Sequence, residues 1–322
     1  MALLPRFTDP SVPAWSSDER EIDPPRWQVS SEPTNPAWPG GGLSRHPMLY
    51  IGEGCNTMFI VNEGKIVWTF SSGKGWEYDD VWLMTNGNIV FSRQEWAGEV
   101  TPDKRLVWRV DCKPGEEIHV TQPIGLDKVM LIVNATPPVL RVLNKTTGEM
   151  LVEKELPYDP AKGVHAQFRR GRVTAAGTYL LSFLVMNKVV EYDADWNEIW
   201  SYEISTPWAA IRLRNGNTLI TSENEKLTRE VNPAGETVWE IHLSDIPEPY
   251  RLHDSQSCVR LDNGNTILCS RGNNGKAPQL VEVTPNKEVV WVVSDWRQFG
   301  PATAVQILTE SGIPERPGDL QR

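Results

Sequence analysis

One short pattern recurs along the chain and constrains its fold more than any other feature. A few apolar residues precede a tryptophan in five segments, GKIVW, KRLVW, NEIW, GETVW and KEVVW, which end at Trp68, Trp108, Trp200, Trp239 and Trp291. A sixth copy, TTGEMLV, has Val152 in place of the tryptophan. The copies recur about every 45 residues, which is the length of one blade of a β-propeller.

A second pattern lies upstream of the tryptophan in each repeat and predicts a tight turn. It reads NGNIVF from Asn86, NGNTLIT from Asn215 and NGNTILC from Asn263, with the related LDKVMLI from Leu126 and AGTYLLS from Ala176. Asn-Gly tolerates the positive φ that a two-residue hairpin requires. A third pattern, EVTPD, EYDAD, EVNPA and EVTPN, predicts the turn between the third and fourth strands. Each repeat is therefore a four-stranded antiparallel unit.

The two ends of the repeat region predict how the ring closes. The first unit, MLYIGEG, NTMFIVN and GKIVWTF, has three strands and lacks an innermost one. The segment ATAVQILTE, near residue 305, has the pattern of an innermost strand that no others follow. We therefore predict an all-β, six-bladed β-propeller whose C-terminal strand joins the N-terminal blade, with the recurring tryptophans buried between blades.

Composition and the N-terminal region limit the other function classes. Residues 1–45, rich in Pro, Ser and Trp without alternation, are interpreted as an extended arm, and residues 46–322 as the propeller domain. The net charge of −10 argues against a nucleic-acid partner, which requires clustered Lys and Arg. No membrane span and no signal peptide are apparent, so we expect a cytoplasmic protein, or a periplasmic or secreted one if a signal has been removed.

The four cysteines lack zinc-ligand spacing and are expected to be small buried hydrophobes.

The repeat segments also resemble those of known propeller families. TTGEMLV and AGETVW resemble repeats of quinoprotein (PQQ-like) and bacterial arylsulfotransferase-type propellers. EIHVTQP, HAQFR and the NGNT copies resemble a group of uncharacterised bacterial PQQ-like propeller proteins. Quinone-cofactor dehydrogenases of this type use eight blades, calcium and a vicinal disulfide, and six blades without adjacent cysteines argue against PQQ as a cofactor. The arylsulfotransferase resemblance implies central histidines and an arginine that transfer a sulfuryl group.

The segments that lead into the innermost strands carry the candidate catalytic residues. All of these segments reach one end of the central channel, here called the mouth, where propellers bind ligands. Three of the five histidines, His119, His165 and His253, lie in such segments of three different blades. The ring is expected to bring them together, with Arg169 nearby as a fourth candidate catalytic residue.

Three interpretations of these histidines remain open. They could pair with the backbone of neighbouring blades, or hold a divalent metal ion, with a site of His119, His165 and His253. They could also act as acid–base or nucleophilic groups, with Arg169 or Arg251 holding an anion.

Other side chains of the same segments are candidate ligand-binding residues. Aromatic rings pack on the apolar faces of sugars, so off-repeat tryptophans at the mouth, expected to be partly exposed, suit a carbohydrate. The candidate ligand-binding residues are Trp76, Glu77, Tyr78, Gln122, Gln167, Trp208, Arg251 and Asp254.

The leading hypothesis is a propeller that binds a carbohydrate or other small anionic molecule at its mouth, with processing of that ligand as an extension of the same hypothesis. One alternative is a sulfotransferase-like or metal-assisted lyase-like enzyme that uses the central histidines. The other is a scaffold that binds a protein partner and has no catalytic activity.

Overall fold

The fold of the chain is a ring of six antiparallel four-stranded sheets. The computed structural model describes residues 38–52, 57–71, 77–273 and 275–322. The six sheets confirm the predicted six-bladed β-propeller. Most of the predicted arm, residues 1–37, lies outside the described residues, as do Cys55 and Trp76.

Twenty-four strands build the blades in chain order. The first blade contains β1 (Met48–Ile51), β2 (Met58–Asn62) and β3 (Lys65–Phe70), and the second β4 (Asp80–Leu83), β5 (Ile89–Arg93), β6 (Trp96–Val100) and β7 (Leu106–Asp111). The third contains β8 (Glu117–Ile124), β9 (Lys128–Asn134), β10 (Val139–Asn144) and β11 (Met150–Glu155), and the fourth β12 (Phe168–Val173), β13 (Tyr179–Phe183), β14 (Lys188–Tyr192) and β15 (Glu198–Glu203). The fifth contains β16 (Pro207–Arg212), β17 (Thr218–Ser222), β18 (Leu227–Val231) and β19 (Thr237–His242), and the sixth β20 (Cys258–Arg260), β21 (Thr266–Cys269), β22 (Leu280–Val283) and β23 (Val289–Val293). A last strand, β24 (Ala304–Ile307), joins the first blade.

The helical segments of the described residues are short. They are 3-10 turns at Pro39–Ser44, Val164–Ala166 and Leu243–Asp245. Across the described ranges, no helix has the length and apolar character needed to cross a membrane.

The first strand of each blade faces the axis of the ring. The strands β24, β4, β8, β12 and β16 contact one another in that order around the ring, and β20 contacts β24. Most residues of these strands are buried, whereas outermost strands such as β7 and β15 alternate between exposed and partly buried residues. This difference follows from position, because an inner strand is covered on both faces and an outer strand borders solvent.

The predicted Asn-Gly turns are present in three blades. Gly87, Gly216 and Gly264 have φ of 86°, 89° and 88°, a region that a glycine adopts without steric cost. Each turn joins the innermost strand of its blade to the second strand.

The ring closes as the sequence predicts. β24 pairs antiparallel with β1, with Met48 opposite Ile307 and Tyr50 opposite Val305, in the same sheet as β2 and β3. Residues from the two ends of the propeller domain therefore form one blade.

Three of the recurring tryptophans join their blade to the next. The indole nitrogens of Trp68, Trp200 and Trp239 donate to the carbonyl oxygens of Pro102, Pro233 and Pro285, at 2.9, 3.1 and 2.9 Å. Each of these prolines lies in the turn between the third and fourth strands of the following blade. The spacing of tryptophan and turn within the repeat thus produces the same inter-blade hydrogen bond in these three copies.

The expected burial of these tryptophans is only partly correct. Trp68 and Trp291 are fully buried, but Trp108, Trp200 and Trp239 are partly exposed. All five lie on outermost strands, and Trp291 is buried because the 3-10 turn Pro39–Ser44 covers it, with its indole nitrogen donating to the Gly42 carbonyl oxygen at 2.6 Å.

A repeated glutamate on the third strand forms a second link between blades. Glu230 accepts hydrogen bonds from Asn217 of its own Asn-Gly turn and pairs with Arg260 of the next blade at 2.8 Å. The same arrangement joins Glu99 to Lys145, Glu191 to Arg212, and Glu282 to Arg45 and His46. These glutamates are structural, as the shared repeat position indicates.

The cysteines of the described ranges are free. Cys258 and Cys269 are buried, as expected, whereas Cys112 is only partly buried. Burial raises the pKa of the Cys269 thiol to about 11, so it stays protonated at neutral pH.

The segment 308–322 covers the end of the channel opposite the mouth. The backbone oxygens of Glu315 and Gln321 accept from the amides of Gly125 and Arg260, which lie where innermost strands end. The carbonyl oxygen of Arg322 accepts from Arg172 Nε at 2.9 Å. The repeat patterns of the sequence do not predict this segment, which has no alternation of apolar residues.

Candidate functional site

The mouth of the channel holds two of the three predicted histidines. His119 lies within β8 and is fully buried, while His165 lies on the 3-10 turn that precedes β12 and has a side chain 51% exposed. Their ring centroids are 5.1 Å apart. The ring therefore brings together histidines from the third and fourth blades, two of the three that were expected to converge.

His119 lies between two carboxylates. Its Nδ1 is 2.8 Å from Asp79 Oδ1, and its Nε2 is 2.7 Å from Glu117 Oε2. An ionised carboxylate only accepts hydrogen bonds, so both ring nitrogens must donate. His119 is therefore an imidazolium.

The pKa of His119 agrees with this arrangement. Burial alone would lower it, but the negative charge of Asp79 and the hydrogen bonds to Asp79 and Glu117 raise it to about 9, against the opposing charge of Arg169. Burial would likewise raise the pKa of Glu117, but hydrogen bonds from His119 and His165 hold it well below its ordinary value. At neutral pH, Glu117 is a carboxylate.

Glu117 also orients the second histidine. His165 Nδ1 is 2.8 Å from Glu117 Oε2, and Gln94 Nε2 donates to Glu117 Oε1 at 3.0 Å. Since Glu117 is ionised, His165 Nδ1 is the nitrogen that donates to it, and Nε2 is the nitrogen that carries the lone pair of the neutral ring. The carboxylate thus sets the tautomer of a half-exposed histidine, as in catalytic carboxylate–histidine pairs.

Glu77 lies close to both histidines and raises the question of a metal ion. Ligand atoms of Glu77, His119 and His165 lie within 4.8 Å of one another. A metal ligand must offer a lone pair, and both nitrogens of His119 are engaged with carboxylates. In this arrangement, His119 fits a proton-carrying role better than a metal-binding one.

Two arginines flank Trp208 beside the histidines. The guanidinium carbons of Arg169 and Arg271 lie 5.1 and 5.7 Å from the indole ring, and Arg169 donates to the backbone oxygen of His165. Arg271 also pairs with Asp254 and Glu223. Arg169 is therefore positioned to stabilise negative charge near His165.

The expected partial exposure of Trp208 is wrong. The residue is 3% exposed, less than Trp239, because arginine side chains cover the ring. Trp208 accordingly offers no free face on which a sugar could stack. Trp76, the other tryptophan predicted for sugar binding, lies outside the described residues.

His253 does not join the other two histidines. It is exposed, and it is not in the group of converging ligand atoms found among the described residues. Its segment reaches β20 only at Cys258, five residues later, whereas His119 lies inside its strand. Arg251 is also exposed and pairs with Glu248.

Four further predicted ligand-binding residues have structural contacts. Tyr78 is fully buried and packs against Phe91. Gln122 bonds to the backbone of Val173 in the next blade, and Gln167 to the backbone of Asp159, Lys162 and Gly163. Asp254 is buried and accepts from Ser270 and Arg271.

Below the mouth, charged side chains fill the channel. Asp80, on β4, pairs with Arg172 at 2.7 Å and lies 3.7 Å from Arg322. Burial would raise the pKa of Asp80, but the charges of Arg172, Arg170 and Arg322 lower it. The guanidinium groups of Arg172 and Arg322 lie on the ring of Trp82, at 5.0 and 4.3 Å. Asp80 is therefore ionised, and its ion pairs link β4 to Arg172 on β12 and to Arg322 at the centre of the ring.

Two carboxylates of the histidine cluster were missed as site residues. Asp79 follows Glu77 by two residues, and Glu117 precedes His119 by two. In an extended chain, residues two apart share a face of the strand. The alternation in EYD (77–79) and EIH (117–119) therefore could have predicted that these carboxylates lie beside the other site residues.

An open cleft of about 630 Å³ lies beside Glu117. Its walls include Gln94, Glu95, Arg109, Lys113 and Glu116. The cleft is polar and gives a small molecule room next to the histidine cluster.

Because His119 is protonated in the folded protein, the free energy of unfolding is expected to fall as the pH rises into the alkaline range. Because its pKa is raised from 6.5 to about 9 in the folded protein, the stabilisation is present below about pH 6.5 and is lost as pH rises through 9. We expect the free energy of unfolding to fall by about 3 kcal/mol more between about pH 6 and 10 in the wild type than in His119→Gln. Denaturant unfolding at each pH measures this difference, and parallel pH profiles for the two proteins would contradict it.

Comparisons with known proteins agree on the fold. No family model and no curated protein matches the chain. A protein of unknown function from Bacteroides caccae is 27% identical over 80% of this chain and 97% of that one, with a TM-score of 0.71. A catalytically inactive virginiamycin B lyase from Staphylococcus aureus with quinupristin is 13% identical over 81% of this chain and 89% of that one, with a TM-score of 0.55.

A third structure, a streptogramin B lyase, is 12% identical over 76% of this chain and 82% of that one, with a TM-score of 0.55. The chain is thus a β-propeller repeat protein, similar in structure to a bacterial propeller of unknown function and to lyase propellers. These comparisons lend no support to the quinoprotein or arylsulfotransferase resemblance.

Proposed function

We propose that the protein is an enzyme that binds a small anionic or carbohydrate ligand at the mouth and uses His165 as a general base. The observation that carries the proposal is the pairing of His165 Nδ1 with Glu117, which leaves Nε2 with its lone pair on a half-exposed ring. General bases in enzymes are most often histidines oriented in this way.

The surrounding groups support a proton-transfer reaction. His165 Nε2 would take a proton from a carbon of the substrate, the electron pair would form a double bond, and the leaving group would depart with the pair of its own bond. The proton on His165 would then pass to the leaving group. Arg169, in contact with the His165 backbone, would stabilise the negative charge that develops.

The imidazolium of His119 supports this role through Glu117. It donates to the oxygen of Glu117 that His165 contacts, which keeps that carboxylate ionised and in place. The structural neighbours that are lyases share the fold alone at 12–13% identity, so this elimination chemistry is proposed from the residues of this chain.

Turnover of a substrate panel tests the proposal. The panel contains neutral sugars, sugar acids and sugar sulfates, and the products are identified by mass spectrometry. We expect His165→Gln to lower kcat/KM by about 10²–10⁴-fold on any substrate that the wild type converts. His253→Gln is the matched control, because it is exposed at the same mouth but outside the cluster, and it should retain wild-type activity.

Two results would contradict the proposal. Turnover that requires a divalent ion and disappears with a chelator would favour the metal-assisted alternative, in which Glu77, His119 and His165 change partners. Ligand binding or protein capture at the mouth without turnover of any panel member would favour the non-catalytic scaffold.

A further inference from the structure

Several buried polar atoms at the floor of the mouth have no partner. Among the described residues, Gln256 Oε1 and Nε2, Thr303 Oγ1 and Arg170 Nε are buried and form no hydrogen bond. The three residues are at most 2% exposed. Buried polar groups in folded proteins are nearly always hydrogen-bonded, so a cluster of unpaired ones indicates a missing partner.

These three residues lie together. Gln256 and Thr303 precede the innermost strands β20 and β24. Arg170, on β12, donates through Nη2 to the backbone oxygen of Thr303 at 3.3 Å, and Ser257, next to Gln256, donates to the same oxygen at 2.6 Å. Arg170 thus reaches across the channel to the backbone of Thr303, a contact that it shares with Ser257, the neighbour of Gln256 in the chain.

The charge of the channel favours an anion at this point. Arg170, Arg172 and Arg322 bring three guanidinium groups into a buried cluster that faces Asp80, and Arg170 also faces Asp79, which itself pairs with His119. Arg172 and Arg322 are closest to Asp80, at 2.7 and 3.7 Å. A buried cluster with excess positive charge is stabilised by a negative ligand.

We propose that Arg170, Gln256 and Thr303 form a binding site for a carboxylate that carries a neighbouring hydroxyl group. Arg170 Nε, Gln256 Nε2 and Thr303 Oγ1 are donors for the carboxylate oxygens, and Gln256 Oε1 accepts from the hydroxyl. The site rests on the proposed function in that the hydroxycarboxylate is taken to be part of the ligand that enters at the mouth. The substrate class is then that of sugar acids and other hydroxy acids.

Three small probes test the two halves of this assignment. Glycolate has both groups, acetate has only the carboxylate, and ethylene glycol has only hydroxyls. A ligand that binds the folded state raises its melting temperature, so thermal unfolding reports binding. At matched ionic strength set with chloride, we expect glycolate to raise the melting temperature most, acetate less, and ethylene glycol not at all.

Variants locate the binding. Gln256→Leu keeps the side-chain size and removes both amide groups, and Thr303→Val removes the hydroxyl, so the second variant serves if the first fails to fold. Each is expected to weaken glycolate binding by roughly tenfold or more, as for lost hydrogen bonds to a charged group. Equal shifts with glycolate and chloride, or unchanged glycolate binding in both variants, would overturn the site.

A failure of the proposed catalytic role can be distinguished from a failure of this binding site. His165→Gln is expected to bind glycolate as the wild type does, because His165 is not among the three binding residues. Glycolate binding that survives in His165→Gln but is lost in Gln256→Leu supports the site even if the substrate panel shows no turnover.

Discussion

Deletion of residues 303–322 is expected to abolish cooperative folding of the whole ring. The deletion removes β24, whose Val305 and Ile307 lie in the core of the first blade, and Arg322, which fills the channel. Each fully buried apolar side chain contributes about 1.5–3 kcal/mol, and the exposed edge of β1 loses its backbone pairs as well. The sum is comparable to the about 5–15 kcal/mol by which domains are stable.

Circular dichroism, gel filtration and urea unfolding measure the effect of this deletion. We expect an aggregated or partly folded product without a sharp unfolding transition. Deletion of residues 309–322 alone is the control, since it retains β24, and it should fold with reduced stability. A protein that lacks residues 303–322 and unfolds at the wild-type urea midpoint would show that β24 does not close the ring.

Asp80→Asn is expected to cost about 3–5 kcal/mol, the range for breaking a buried ion pair. Asp80 is fully buried and is the carboxylate that faces Arg172 and Arg322, so an amide at this position leaves buried guanidinium groups without a counter-charge. The free energy of unfolding in urea measures this loss.

Asp103→Asn is the matched control for this substitution. Asp103 pairs with Arg105 at 2.7 Å on the surface, where both side chains are more than half exposed. Exposed ion pairs contribute little, so we expect the control to unfold as the wild type does. Equal stability of Asp80→Asn and Asp103→Asn would mean that the axial cluster is not held by its charges.

The fold could be predicted because its determinants are local and repeated. The Asn-Gly turns and the tryptophan positions each occur at a fixed place in the blade, and the three-stranded first unit requires a partner such as β24. The covering segment 308–322 follows neither pattern. Its position depends on single contacts, such as Arg322 with Asp80, that have no periodic signal.

The candidate site was only partly predictable for a related reason. Position in the repeat located His119 and His165, since rotation about the axis turns equivalent positions into neighbours. The same argument failed for His253, because its segment follows an irregular path before β20. It also failed for Trp208, because Arg169 and Arg271 come from different blades, and sequence does not show that they converge.

The composite blade has a consequence for synthesis of the chain. β1 is made about 250 residues before β24, and ribosomes add about 5–20 residues per second, so β1 waits on the order of tens of seconds for its inner partner. During that time Met48–Ile51 is an open, apolar edge strand, a structure that readily pairs with other chains. Chaperone binding to the nascent chain is therefore expected to concentrate on this first blade, and to end when β24 leaves the ribosome.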